Sequence, residues 1–126
     1  MRQKALFALL CVLGPAAYAQ MPIPQAEAPD GARLFRNQCA TCHSLKASDP
    51  PRQGPNLEHV YGRKIGSVEG YKYTPGYRES DGVWDEDKLD RYLSNPSAMF
   101  PGSIMAYRQP NAATRQVIIT YLKEQG

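Results

Sequence analysis

The stretch NQCATCH, residues 37–43, contains two cysteines in a CxxC pair and a histidine directly after the second cysteine. A CxxC pair by itself fits a redox disulfide, half of a zinc site or the attachment point of a covalent cofactor. The histidine favours the last of these, because Cys-x-x-Cys-His is the pattern of covalent haem attachment. In that chemistry the thiols of Cys39 and Cys42 add to the two vinyl groups of the haem, and His43 binds the iron as an axial ligand.

The two other chemistries lack the residues that they need. A structural zinc ion takes about four ligands, and beyond the CxxCH motif only His59 is available, without a second cysteine pair. A thioredoxin-like motif is expected in a βαβ context, and no segment of the chain has a strand pattern. Haem attachment is therefore the prediction.

An iron bound by His43 has a second axial position on the other side of the haem. The residues alone leave several occupants open: Met21, Met99, Met105, His59 or no protein ligand. The turn-forming residues of PGSIM, 101–105, would let the backbone pass close to a flat ring, which favours Met105 over Met99. His59 fits an exposed polar residue better, and Met21 lies in the N-terminal tail, on the wrong side of the attachment motif.

The first 19 residues have the composition of a cleaved secretory signal. Arg2 and Lys4 give a positive start, residues 5–13 an apolar core, and residues 17–19 (AYA) a small-x-small cleavage site. The apolar run is much shorter than the roughly 20 residues of a membrane-spanning helix, so an uncleaved anchor is the weaker alternative. We therefore expect cleavage after this triplet, export to the periplasm, and loss of Cys11 with the signal.

The rest of the chain suits one domain behind a short tail. Residues 20–29 contain three prolines and no periodic pattern, which predicts a tail or linker, and residues 30–126 form a monohaem domain. Two of the 15 basic residues lie in the signal, which holds no acid, so the mature chain, with 12 acidic residues, has a net charge near +1. Nucleic acid is not an expected partner, because phosphate binding needs a clustered basic excess. Stable membrane insertion is not expected either.

Three helices are predicted, and no strand. Asp30 is a good N-cap for a first helix that runs into the CxxC motif. A second helix follows Trp84, has acids at 85–87 in its first turn, and stops at Asn95-Pro96. A last helix covers about 112–123. Residues 44–81 keep no regular pattern, and a loop of that length is improbable in a compact domain unless it wraps a bulky prosthetic group.

Short segments along the whole domain resemble class I c-type cytochromes, in particular the branch of mitochondrial cytochrome c and bacterial cytochrome c2. In sequence order they are GARLF (31–35), GPNL (54–57), YGRK (61–64), GYKYT (70–74), VW (83–84), YLSNP (92–96), PGSIM (101–105) and YLK (121–123). The resemblance implies an all-α cytochrome c fold, with three to five short helices and long loops wrapped around one covalently bound haem.

The resemblance also implies roles for single residues. The axial ligands would be His43 and Met105, with Met99 a packing residue. The remaining cofactor contacts that it implies are Pro55, whose carbonyl would hold the far nitrogen of the axial histidine, Arg63, Tyr73 and Trp84 around the haem propionates, and Tyr92 and Ser103 near the methionine sulfur. Gly31 and Phe35 would pack against Tyr121 and Leu122 where the terminal helices cross.

Two positions depart from that branch. Tyr77 falls where the branch has a small polar residue in an internal water network, so we do not expect that network in its usual form. Ile104 replaces the lysine commonly found directly before the ligand methionine, and the net charge is low. Both features weaken the ring of basic residues through which the mitochondrial protein docks to its partners.

The resulting prediction is an exported electron carrier rather than an enzyme. With both axial positions filled, the iron has no open site for a substrate. The expected partners are redox proteins, and the chain itself is expected to be a monomer. An alternative is the haem subunit of a periplasmic oxidoreductase complex, which a partner co-purifying at high salt would favour. A haem enzyme or gas sensor with a labile sixth ligand is the third possibility, against which a stable Met105–iron bond would argue.

Overall fold

Five α-helices make up the regular structure of residues 29–125, the part of the chain that this computed structural model describes. They are α1 (Gly31–Gln38), α2 (Pro75–Arg78), α3 (Glu86–Ser94), α4 (Pro96–Met99) and α5 (Ala112–Glu124). Within these residues the only β-type pairing is an isolated antiparallel bridge between Lys64 and Val83. The all-α prediction is confirmed. The predicted signal, most of the tail and Met21 lie outside the described residues.

The three predicted helices start at polar caps. The Asp30 side chain accepts the Ala32 N–H at 3.0 Å at the start of α1. The Asp85 side chain accepts the Lys88 N–H at 2.8 Å at the start of α3. These bonds satisfy backbone donors that the first helical turn leaves without a partner. Helix α1 is slightly shorter than predicted, because it ends at Gln38 with Cys39 as its C-cap.

Helices α2 and α4 each have a single turn and were not predicted individually. Both begin with proline, whose fixed φ angle suits the first helical position. Helix α2 lies inside the segment predicted to have no regular structure, and α4 follows directly where the second helix was expected to stop. One turn is too short for an apolar periodicity to show in the sequence.

The terminal helices cross at residues that the resemblance implied. A Cβ atom added to Gly31 would lie 2.5 Å from the Tyr121 Cβ, so α1 and α5 approach more closely than any side chain at this position would allow. The rings of Phe35 and Tyr121 pack beside this point with their centroids 5.8 Å apart. Helix α5 also packs against α3, and α4 against α3.

A buried arginine joins the helices to the loop in front of α5. The Arg115 guanidinium donates to Asp90 on α3 at 2.8 Å through Nε and to the carbonyl oxygens of Gln109 and Pro110 through Nη1. The ion pair lowers the pKa of Asp90. Arg115 therefore fixes α3, α5 and the 109–110 segment together.

The long loops are organised by aromatic packing rather than by helices. Around the Lys64–Val83 bridge, the Trp84 N–H donates to the Arg63 carbonyl at 2.9 Å. The indole ring of Trp84 then packs on the ring of Tyr92, with centroids 4.9 Å apart. Helix α2 reaches α3 through the side chains of Tyr77 and Tyr92. Among the described residues no helix is long and apolar enough to cross a membrane.

Candidate haem site

A cavity of about 300 Å³ opens between the end of α1, the inner faces of α3 and α5, and the loops. This volume is at the low end of the range of cofactor and ligand sites, about 300–1,000 Å³. Its walls are mainly apolar, and the aliphatic part includes Leu57, Val60, Leu89, Leu93, Ile104, Ile118 and Leu122. The two cysteines and the histidine of the CxxCH motif line one side.

The CxxCH motif leaves the helix in a tight turn. The N–H groups of Cys42 and His43 both donate to the Cys39 carbonyl, at 3.1 and 2.9 Å. Both cysteines are free thiols, and burial raises the pKa of Cys39 to about 11, so its thiol is neutral at neutral pH. Cys39 is buried and Cys42 half-buried on the same wall of the cavity. This arrangement fits attachment of one flat group through both sulfurs.

The imidazole of His43 is held by a backbone carbonyl. Its Nδ1 lies 2.8 Å from the carbonyl oxygen of Pro55, which can only accept, so Nδ1 carries the proton and Nε2 is left as a free ligand atom. Burial lowers the pKa of His43, and the bond to Pro55 partly opposes this shift. The predicted contact between His43 and Pro55 is therefore present, and it orients the ring as outer-shell partners orient metal ligands.

Gly54 is a functional position that the sequence reasoning missed. A Cβ atom added to Gly54 would lie 2.4 Å from His43 Cε1 and 2.6 Å from His43 Nδ1. The Gly54 N–H donates to the Cys42 carbonyl at 2.7 Å, which brings the loop against the imidazole. Gly54 lies within the GPNL segment, but only the contact with His43 shows why a glycine is needed there.

The candidates for the second axial position lie in different surroundings. Met105 lines the cavity. Met99 packs against the core and does not line the cavity, and His59 is exposed, with a positive φ of 49°. Of the candidates within residues 29–125, Met105 alone shares the cavity with His43.

Arg63, Tyr73 and Trp84, which the resemblance implied as residues around the haem propionates, all line the same cavity. The Arg63 guanidinium donates to the carbonyl oxygens of Glu58 at 2.6 Å and Asn56 at 2.8 Å. Within residues 29–125 it forms no ion pair with a carboxylate. Burial lowers its pKa, an effect that Tyr73 and Glu58 oppose. An uncompensated guanidinium in a cavity wall favours a bound anion.

Thr74 provides an independent test of fit. In the described part of the chain its Oγ1 is the one buried side-chain oxygen or nitrogen without a hydrogen-bond partner, and Thr74 lines the cavity. A buried hydroxyl without a partner is costly, which indicates that a polar group of a ligand pairs with it. Together with Arg63 it fits the carboxylates of a haem. The sequence analysis assigned Thr74 no role, and its place in GYKYT was the only indication.

Tyr92 and Ser103 form a cluster that differs from the expected one. No hydrogen bond joins either hydroxyl to the Met105 sulfur in the described structure. Ser103 Oγ instead accepts the Met105 backbone N–H at 3.3 Å. The Tyr77 hydroxyl lies 2.8 Å from that of Tyr92 and 2.5 Å from that of Ser103. Burial raises the pKa of Tyr92, so its phenol stays protonated.

Comparisons with known proteins agree with this site. Residues 28–125 match the family model described as Cytochrome c. Three relatives named Cytochrome c illustrate the similarity. The protein from Arabidopsis thaliana is 41% identical over 104 residues, which cover 80% of this chain and 91% of the relative. The one from Cochliobolus lunatus is 40% identical over 108 residues, 83% and 98% of the two chains. The one from Theileria annulata is 38% identical over 103 residues, 81% and 89%.

Proposed function

Because the chain belongs to the cytochrome c family, we propose that it carries single electrons between redox proteins of the periplasm on a haem ligated by His43 and Met105. Members of this family are electron carriers with covalently attached haem c, not enzymes. The observation that supports the proposal most strongly is that Cys39, Cys42, His43 and Met105 all line one apolar cavity.

The chain supplies what an electron-transfer haem requires. When bound, the haem takes up and releases one electron as its iron changes between the ferric and ferrous states. Ligation by His43 and Met105 would raise its reduction potential and would leave no position on the iron for a substrate. The apolar walls act in the same direction, because a low-dielectric cavity disfavours the additional positive charge of the ferric state.

Fixed ligands keep the cost of changing oxidation state low. The His43 ring is held between the Pro55 carbonyl and the backbone of Gly54, so it has little freedom to rotate. The bond from the Met105 N–H to Ser103 fixes the loop that carries the second proposed ligand. Ligands that are oriented in advance do not need to rearrange when the charge of the iron changes.

Replacement of the methionines tests the ligand assignment. We expect Met105→Ala to abolish the weak far-red absorption band that methionine ligation gives ferric c-type haem, and to lower the reduction potential. Met99→Ala is the matched control, because Met99 packs on the core outside the cavity, and it should keep the band. A band that survives in Met105→Ala and disappears in Met99→Ala would contradict the proposal.

Export to the periplasm rests on the composition of residues 1–19, which lie outside the described structure. The test is the N-terminal sequence of haem-loaded protein recovered from separated cell fractions. We expect periplasmic material that begins at Gln20. Holoprotein that still begins at Met1 and stays with the membrane fraction would instead identify the segment as an anchor.

Ile104 is a candidate contact with redox partners. Its side chain is 67% exposed, directly before Met105, and it lines the mouth of the cavity. An apolar residue there would let a partner approach the haem edge and exclude water from the contact. We expect Ile104→Glu to slow electron transfer to native partners, while Val83→Glu, at an exposed apolar position outside the cavity, leaves the rate unchanged. Equal rates in the wild type and both variants would exclude this contact.

A further inference from the structure

Tyr77 joins three parts of the molecule at the edge of the cavity. It is buried on α2, and its ring stacks on Phe100 with centroids 4.3 Å apart. Its hydroxyl reaches Tyr92 on α3 and Ser103 in the ligand loop. These contacts link α2 to α3 and to the loop that carries Met105.

The number of hydroxyl protons limits how this cluster can be arranged. Each of the three hydroxyls has one proton to donate. Ser103 Oγ accepts the Met105 N–H, and its shortest hydrogen-bond contact is with the Tyr77 hydroxyl, to which it can donate its proton. Tyr77 can then donate its own proton to Tyr92.

The positions of the three residues support this direction. Tyr77 and Tyr92 line the cavity, whereas Ser103 does not. If the bonds ran from Tyr92 through Tyr77 to Ser103, the last proton would be on Ser103, which does not line the cavity. In the direction from Ser103 to Tyr92, the last proton is on a residue that faces the cavity, where an acceptor can use it.

We propose that Tyr77 is a positioning residue that relays hydrogen bonding from Ser103 to Tyr92 and so directs the Tyr92 hydroxyl proton at the thioether of Met105. This inference rests on the proposed role of Met105 as an iron ligand. Hydrogen bonds in a chain strengthen one another, so Tyr77 makes Tyr92 a better donor. A stronger donor withdraws electron density from the sulfur, which favours the ferrous state and raises the reduction potential.

The experiment is a double-mutant cycle on the reduction potential of the holoprotein. Tyr77→Phe keeps the ring that stacks on Phe100 and removes only the hydroxyl. We expect this change to lower the potential in the wild-type background and to have no effect in Tyr92→Phe, because Tyr77 acts through Tyr92. An unchanged potential in the wild-type background, or an equal shift in both backgrounds, would overturn the relay.

Ser103→Ala tests the direction of the chain independently of Tyr77. It removes the first hydroxyl donor, so we expect it to lower the potential, as Tyr77→Phe does. A rise or no change would show that the bonds do not run from Ser103 to Tyr92. Tyr61→Phe is the matched control, since it removes a tyrosine hydroxyl outside the cavity and should leave the potential unchanged.

The far-red band separates failure of this inference from failure of the proposed function. If the wild-type ferric protein lacks the band, Met105 is not a ligand and both ideas fall. If the wild type has the band and Tyr77→Phe leaves the potential unchanged, the ligand assignment stands and the relay is wrong. Thermal unfolding of each variant measures any effect on stability separately from the effect on the potential.

Discussion

The helix crossing and the loops around the cavity are built in opposite ways. In the crossing, formed by α1, α3 and α5, protein atoms fill the space themselves: Gly31 admits Tyr121, and Ile119 is 1% exposed and does not line the cavity. In the loop half, residues 44–83 and 100–107, the side chains surround a cavity. Among the described residues Arg63 forms no ion pair with a carboxylate there, and the Thr74 hydroxyl has no hydrogen-bond partner. The first half is complete without a ligand, whereas the second is completed by the haem.

Removal of haem attachment should produce the largest difference between the two halves. We expect Cys39→Ala/Cys42→Ala to yield a chain that loses cooperative unfolding and amide protection throughout the loop half, because the cavity walls lose their common contact. Whatever helical signal remains should come from α1 and α5. Hydrogen exchange measured beside the haem-loaded wild type checks this, and wild-type protection of residues 44–83 in the unloaded chain would refute the comparison.

A substitution in the helix crossing should affect stability without altering the haem environment. In Gly31→Ala the new Cβ would lie 2.5 Å from the Tyr121 Cβ and 3.2 Å from the Val117 carbonyl oxygen, so the helices must separate. Overpacking of this kind costs about 1–3 kcal/mol. Denaturant unfolding should show this loss with an unchanged haem spectrum.

Gly76→Ala is the matched control for Gly31→Ala. Its added Cβ would meet Phe100 at 3.6 Å, an ordinary contact, so the free energy of unfolding should change by less than about 0.5 kcal/mol. Equal stability of the two variants would mean that the close helix approach does not contribute as described.

Gly54→Ala, unlike Gly31→Ala, should alter the haem spectrum and the reduction potential. Its Cβ would lie 2.4 Å from His43 Cε1, so the imidazole must rotate away from the Pro55 carbonyl. We expect a loss of about 1 kcal/mol, comparable to one hydrogen bond, together with a shifted haem spectrum and reduction potential. If the spectrum and the potential match those of the wild type, the backbone of Gly54 does not orient the ligand.

The smallest expected effect concerns the ion pair between Arg115 on α5 and Asp90 on α3. Arg115 lowers the pKa of Asp90, so this carboxylate stabilises the fold above its unfolded pKa of about 3.9 and loses that contribution as the pH falls through its lower folded pKa. The difference in unfolding free energy between the wild type and Asp90→Asn should therefore be constant near neutral pH and shrink below about pH 4.

Glu69→Gln is the control for this pH dependence, because Glu69 is exposed and forms no ion pair within residues 29–125. Its difference from the wild type should not follow the same acid transition. If the difference in unfolding free energy between the wild type and Asp90→Asn grew as the pH fell, the predicted role of Asp90 would be contradicted.

The two halves also differ in how much of them the sequence predicts. Helix caps and apolar faces are local properties, so Asp30, Asp85 and the bounds of α5 follow from neighbouring residues. The CxxCH motif is local as well, so haem attachment at the two cysteines could be predicted from neighbouring residues. The need for Gly54 and the unpaired hydroxyl of Thr74 depend on residues far away in the sequence, so only the structure reveals them.

Tyr77 shows the same limit at a position that the sequence did single out. Its size predicted that an internal water network would be altered, but not which groups would take its place. The contacts of its hydroxyl with Tyr92 and Ser103 depend on how α2, α3 and the ligand loop pack, which has no local pattern.

The intact mass of the exported protein, measured together with its reactivity toward a thiol reagent, decides whether a haem completes the loop half. We predict a coloured protein whose mass equals that of the chain beginning at Gln20 plus one haem, with Cys39 and Cys42 both unreactive. A colourless, folded protein with the mass of the chain alone and two reactive thiols would contradict it.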